Sequence, residues 1–197
     1  MMPDLPEIYN VDFFREWGKN NEKYVASASV IVKLLLQQFR PLSLVDIGCG
    51  CGVYSYFFLK NNVEVLSIDG VQPCIENSYP IEIQVQDLTT PFSNERGKFD
   101  VALCLEVAEH IPPEFVMTFL HNITQFSDTL LLSAAPPFQG GHHHVNEQPK
   151  RYWKQKLQQV GFAYNRKRTG KFVEAFKSIK APHMWMGEGI SVYERIQ

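Results

Sequence analysis

Long apolar runs are missing from this chain of 197 residues: hydrophobic side chains make up 45% of it, yet no stretch is continuous enough to span a bilayer. That excludes a transmembrane helix. The opening Met1-Met2-Pro3-Asp4 also lacks the charged-then-apolar pattern of a secretory leader, so a soluble cytoplasmic protein with no membrane partner is expected. Cysteine is sparse, at four residues, and Cys49, Cys51, Cys74 and Cys104 contain no C-x-x-C pair. This spacing excludes the paired-cysteine zinc pattern and suits loop or buried thiols. Internal repeats are missing too, and the one low-complexity tract is His142-His143-His144. The length suits one domain that buries roughly 70% of the surface its unfolded form exposes, so a second catalytic domain is not expected.

Overall charge is small, at −2, but unevenly spread. Between Lys150 and Lys180 ten Lys or Arg residues face one acid, Glu174, while the rest of the chain is acidic. Such a field would suit an anionic substrate, although solvated helix and edge-strand faces produce the same composition.

From Pro41 onward, strand and helix signals alternate, which predicts an α/β fold with a mainly parallel sheet covered on both faces. The predicted strands are 42–47, 63–68, 81–86, 99–105, 129–134, 162–168 and 190–196. Helices are expected to start near Val53, Val71, Pro113 and Gln148. Before residue 41, a short helix over 11–19 and an amphipathic one over 22–39 form an N-terminal helical cap (1–40) on the main domain (41–197). Tyr9, Phe13, Phe14, Trp17 and Tyr24 cluster there, as core residues or as a lid.

The most informative stretch is Leu44 to Gly52, an apolar run ending in Gly48, Gly50 and Gly52 with Asp46 two places before the first. It reads as a strand entering a backbone loop that a ligand approaches closely, since glycine has no Cβ to block it. A dinucleotide fingerprint of the G-x-G-x-x-G type would need glycine at position 53, where Val53 stands, so NAD chemistry is poorly supported. The D-x-G-x-G-x-G pattern from Asp46 instead resembles the first motif of class I S-adenosylmethionine (SAM)-dependent methyltransferases. The motifs downstream follow the same order: Val63–Ile68 ending in Asp69-Gly70, Ile83–Gln86 leading into Asp87-Leu88, and Phe99–Ile111 containing Glu106-Val107-Ala108-Glu109-His110.

The resemblance implies a Rossmann-like fold with a seven-stranded sheet and SAM as cofactor, released as S-adenosylhomocysteine. It assigns cofactor binding to Asp46, Gly48, Cys49, Gly50, Gly52, Asp69, Gly70, Asp87, Leu88 and Glu106. Asp69 would hold the ribose hydroxyls and Asp87 the adenine amino group. Outward N–H groups of the glycine loop and the helix after it would receive the methionine carboxylate.

After the fifth strand, Ser133–Gly141 and His144-Val145-Asn146-Glu147-Gln148 resemble a bacterial and viral subgroup of these methyltransferases that often occurs near sugar and cell-surface biosynthesis. That implies transfer to a hydroxyl or amine of a small molecule or glycan. The tail at 182–187 matches the subgroup's aromatic end only loosely. His144 is the first candidate base and His110 the second, because imidazole titrates near neutral pH. Asn146, Gln148, Tyr152 and Trp153 are expected to orient substrate. A sharper alternative makes Glu106, Glu109, His110 and His144 ligands of a divalent metal, since E-x-x-E-H resembles metal-dependent O-methyltransferases acting on RNA 3′ ends and ubiquinone precursors. The metal-free reading is preferred, ahead of RNA 2′-O-methylation and of a non-catalytic SAM-binding regulatory protein.

Overall fold

The computed structural model describes residues 5–179 and 185–197, so residues 182–184 of the expected tail lie outside it. Seven strands form one sheet: β1 (Ser43–Ile47), β2 (Glu64–Asp69), β3 (Gln84–Val85), β4 (Val101–Leu105), β5 (Thr129–Ser133), β6 (Phe162–Tyr164) and β7 (Ser191–Arg195). Their order is β3-β2-β1-β4-β5-β7-β6, with β7 antiparallel to both neighbours and the first five strands parallel. This is the α/β sheet expected of a class I methyltransferase.

Side chains alternate across a strand, so a sheet covered on both faces needs apolar residues at consecutive positions. Leu44, Val101, Leu103, Leu131 and Val192 enter one core. Their neighbours Val45, Ala102, Cys104, Leu130, Leu132 and Tyr193 enter the other. Helices α3 (Glu22–Phe39), α4 (Val53–Lys60) and α7 (Arg166–Lys177) supply the first core, while α5 (Val116–Thr124) and α6 (Lys150–Gln159) supply the second.

In α3, Ala28, Ile31, Val32 and Leu35 recur at helical spacing and are buried. Each large one contributes roughly 1.5–3 kcal/mol. Asn21 starts the helix by accepting the Tyr24 N–H, and Arg40 ends it in the left-handed conformation. Two short helices precede it, α1 (Leu5–Ile8) and α2 (Val11–Glu16); Asn10 caps the second by accepting from Asp12 and Phe13.

Three expected elements differ. No helix forms at Val71: Pro73 and Pro80 lack a donor and turn the preceding residues away from the α region, leaving turns. The strand expected over 81–86 shortens to two exposed edge residues. The strand expected over 162–168 stops at Tyr164, because Asn165 accepts the Arg168 N–H and starts α7, which buries Thr169, Phe172 and Phe176. Past β4, Pro113 opens a short 3₁₀ turn before α5. A last helix, α8 (Trp185–Gly189), leads into β7.

Candidate active site

The ends of β1, β2 and β4 open onto one cavity of about 420 Å³, at the sheet edge where open α/β folds place ligands. Asp46, Gly48, Cys49 and Gly50 line it from β1 and its loop; Asp69 and Gly70 line it from β2. Asp87 and Leu88 follow β3, and Glu106 follows β4. Gly52 is set back, left-handed at the start of α4, with Ile81 against it.

The loop is braced from within. Gly48 and Cys49 donate their N–H groups to Ile68 O, Gly50 to Asp69 Oδ2 at 2.7 Å, and Gly52 to Cys49 O. Those four donors are therefore spent within the protein. Gly48 has φ 74, and a Cβ there would lie 2.2 Å from Val107 Cγ2, so the loop passes too close to Val107 for any side chain.

Asp46 is buried and accepts from Ser55 Oγ at 2.6 Å, which in turn accepts from Ser67 Oγ at 2.8 Å. Burial pushes its carboxyl up to about 6, against the Ser55 bond. Asp69 accepts from Gly50 N and Val71 N, and burial raises it despite those bonds. The Gly70 N–H is a further donor beside this carboxyl. Asp87 Oδ1 takes both the Thr89 N–H and hydroxyl, leaving Oδ2 without an acceptor role among the described residues. The Cys49 thiol is raised well above its ordinary value by burial and by Asp69 and Asp46, so it stays protonated.

Opposite the glycine loop lies a cluster the E-x-x-E-H spacing pointed to. Glu106, with φ 55, accepts from Ser133 Oγ at 2.6 Å. Both Glu109 carboxyl oxygens are buried and lack a hydrogen bond of good geometry among the described residues, with the Ala135 N–H and the Glu106 carboxyl close by. Burial, then the nearby Glu106 carboxylate, raises Glu109 well above the usual range. His110 is held neutral: burial and His144 lower it to about 4. Its Nδ1 lies 3.2 Å from His143 O and must donate, which leaves Nε2 free. The His110 and His144 rings meet edge-on at 5.0 Å, and one ligand atom from each of Glu109, His110 and His144 lies within 4.8 Å of the others. His144 Nδ1 is 2.9 Å from Glu147 Oε1; that bond, with N–H groups of Gly140 and Phe138, holds the Glu147 carboxyl below its ordinary range.

The four residues expected to orient substrate are not in the cavity wall. Asn146 is buried and donates to Ile111 O, while its backbone and that of Val145 donate to Glu109 O. These bonds clamp His144 beside His110. Gln148 donates to Asn146 Oδ1, Trp153 is buried in the second core, and Tyr152 stands edge-on to Trp153. Trp153 shares a helix face with Leu157, so the sheet takes it.

The N-terminal aromatics Tyr9, Phe13, Phe14, Trp17 and Tyr24 do line the cavity. Tyr9 meets the rings of His110, His142 and His143 edge-on, and His142 Nε2 donates to Ile8 O at 2.7 Å. Sequence reasoning missed Tyr54 and Gln139–Gly141 in the wall; an aromatic one turn after the glycine loop was the available signal for Tyr54. The wall holds five carboxyl groups, from Asp46, Asp69, Asp87, Glu106 and Glu109, and no Lys or Arg among its described residues. The basic residues of α6 and α7 lie elsewhere.

A family model described as a methyltransferase domain matches residues 17–130. The ubiquinone biosynthesis O-methyltransferase of Rickettsia typhi is 34% identical over 101 residues, covering 48% of this chain and 40% of that protein. That of Pseudomonas aeruginosa is 29% identical over 118 residues, covering 55% and 47%. The matches thus span less than half the length of these curated relatives. Among solved structures, the Burkholderia thailandensis 1,6-didemethyltoxoflavin-N1-methyltransferase with bound S-adenosylhomocysteine has a TM-score of 0.63 at 14% identity, covering 98% of this chain and 89% of that one. A sugar N-methyltransferase from a Streptoalloteichus species has a TM-score of 0.64 at 11% identity, covering 94% and 92%.

Proposed function

The chain belongs to the methyltransferase domain family, and from that premise we propose that it transfers a methyl group from SAM to a hydroxyl or amine of a small molecule. One observation carries the reading: the glycine loop, Asp69, Asp87 and Glu106 share a single cavity with His110 and His144. When bound, SAM supplies an electrophilic methyl on a positively charged sulfur. The residues fit it, since a wall rich in carboxyl groups and, among its described residues, free of Lys and Arg attracts a cation. Asp69 would accept from the ribose hydroxyls, and Asp87 Oδ2 from the adenine amine. The first turn of α4 would face the methionine carboxylate.

The same charge pattern favours a neutral or cationic acceptor over an anionic one. Aromatic rings from the N-terminal segment would cover it and exclude water. His144 Nε2 would take the acceptor's proton as the nucleophile closes on the methyl carbon. A sugar-like acceptor fits the hydrogen-bonding residues of the 139–144 loop and is the substrate class we put forward.

A second reading is favoured by Glu109. A buried carboxylate beside a second carboxylate is costly, so it is either protonated or bound to a cation. Glu109, His110 and His144 fit a divalent ion, which would polarise a hydroxyl acceptor. The metal-free reading assigns Glu109 the proton instead, as its raised carboxyl directs.

Mass spectrometry of ligands carried through purification tests the leading reading. SAM or S-adenosylhomocysteine is expected; a nicotinamide dinucleotide in its place would overturn it.

A further inference from the structure

We propose that Glu147 is the positioning residue of this site: its carboxylate fixes His144 with the Nε2 lone pair free and, through the same two oxygens, folds residues 138–140 beside the cavity. The proposal rests on the reading of His144 as the base in methyl transfer.

Three donors converge on this one side chain. Glu147 Oε1 accepts from His144 Nδ1 at 2.9 Å and from the Gly140 N–H at 2.7 Å, while Oε2 accepts from the Phe138 N–H at 2.8 Å. A carboxylate only accepts, so Nδ1 must carry the hydrogen, and a neutral imidazole then presents a bare Nε2. This is the tautomer a base needs, and it follows from the partner rather than from the ring. The pair is half-buried, with side chains 11% and 18% exposed.

The loop Glu147 holds would not take this shape by itself. Phe138 (φ 71) and His143 (φ 55) are non-glycine residues in the left-handed region, flanking Gly140 (φ 69) and Gly141 (φ 153). Phe138 is fully exposed and buries nothing in return. The Glu147 bonds are what offset this strain. Gly141 completes the fit, because a Cβ there would lie 2.4 Å from His144 Cε1 and Nε2. The ring is thus held by Glu147 at Nδ1 and packs against the Gly141 backbone, with no room for a Cβ between them. Base orientation and loop shape become one property of one carboxylate.

The test uses the full chain labelled with ¹⁵N-histidine, long-range ¹H–¹⁵N spectra at a pH where imidazole is neutral, and calorimetry with S-adenosylhomocysteine. The wild-type protein is expected to show His144 as the Nδ1–H tautomer. Glu147→Met, which keeps bulk but removes both acceptors, should shift His144 to mostly Nε2–H and speed amide exchange at Phe138 and Gly140 at least ~10-fold, with cofactor affinity within about 2-fold of wild type. Glu147→Gln keeps one acceptor for three donors and should give a mixture of tautomers. With an identified acceptor substrate, Glu147→Met should lower kcat by about 10²-fold at unchanged KM. An unaltered His144 tautomer in both variants overturns the proposal. A wild-type protein that binds no S-adenosylhomocysteine but shows the expected tautomer change defeats the methyl-transfer reading and leaves the Glu147–His144 coupling standing.

Discussion

The Gly50 backbone N–H donates to Asp69 Oδ2 at 2.7 Å, so the residue that ends β2 holds the glycine loop that follows β1. Asp69 Oδ1 takes the Val71 N–H as well. Hydrogen bonds to a charged acceptor contribute about 1.5–3 kcal/mol. Asp69→Ala should therefore lower the unfolding free energy by about 2 kcal/mol in urea titrations without cofactor. Unchanged stability would mean the loop is held by Ile68 alone.

Gly48→Ala should destabilise the protein by about 1–3 kcal/mol, since the added methyl meets Val107 Cγ2 and the backbone is left-handed. Adding Val107→Ala should return part of that loss, because it removes the collision but not the strained φ. A double-mutant cycle in thermal unfolding with zero coupling would show that Val107 does not confine the loop.

Strands β1, β2 and β4 were legible because each carries apolar residues at consecutive positions and runs into a glycine or an acid. Asp46, Asp69 and Asp87 stood out from that pattern taken together with the family resemblance, and all three line the cavity. Helix α7 was missed because Tyr164 and its neighbours favour a strand, and the cap that stops it is a single asparagine, Asn165. The placements of Asn146, Gln148, Tyr152 and Trp153 were not legible either. The motif sets them beside His144 in sequence, but whether a side chain faces the cavity or the sheet depends on where α6 begins, one residue after Pro149. Glu147 was hidden for the opposite reason, since its partners Phe138 and Gly140 come from a loop with no periodic signal.

Stability should carry a signature of His110. Its folded value of about 4 lies below its ordinary 6.5, so the unfolded chain takes up the proton first. The stabilisation is present above about pH 6.5 and is lost as pH falls towards 4. The stability difference between wild type and His110→Gln should shrink by up to about 3 kcal/mol across that window in urea titrations. A difference independent of pH would place His110 in contact with water.

The metal-free and metal readings divide at Glu109. On the metal-free reading, a chelator leaves turnover unchanged. Because the raised Glu109 carboxyl loses stability as pH rises, Glu109→Gln should then be more stable than wild type at pH about 8 to 9. The metal reading expects chelation to abolish turnover, a divalent ion to restore it, and that ion to raise the melting temperature of wild type but not of Glu109→Gln.

The central claim is that this cavity binds SAM, and calorimetry with S-adenosylhomocysteine tests it most directly. Wild type should bind it, NAD should not bind, and Asp69→Ala should lose affinity by about 10- to 150-fold, the equivalent of one hydrogen-bonded charged acceptor. Binding of NAD, or equal affinity for S-adenosylhomocysteine in wild type and Asp69→Ala, would contradict the account.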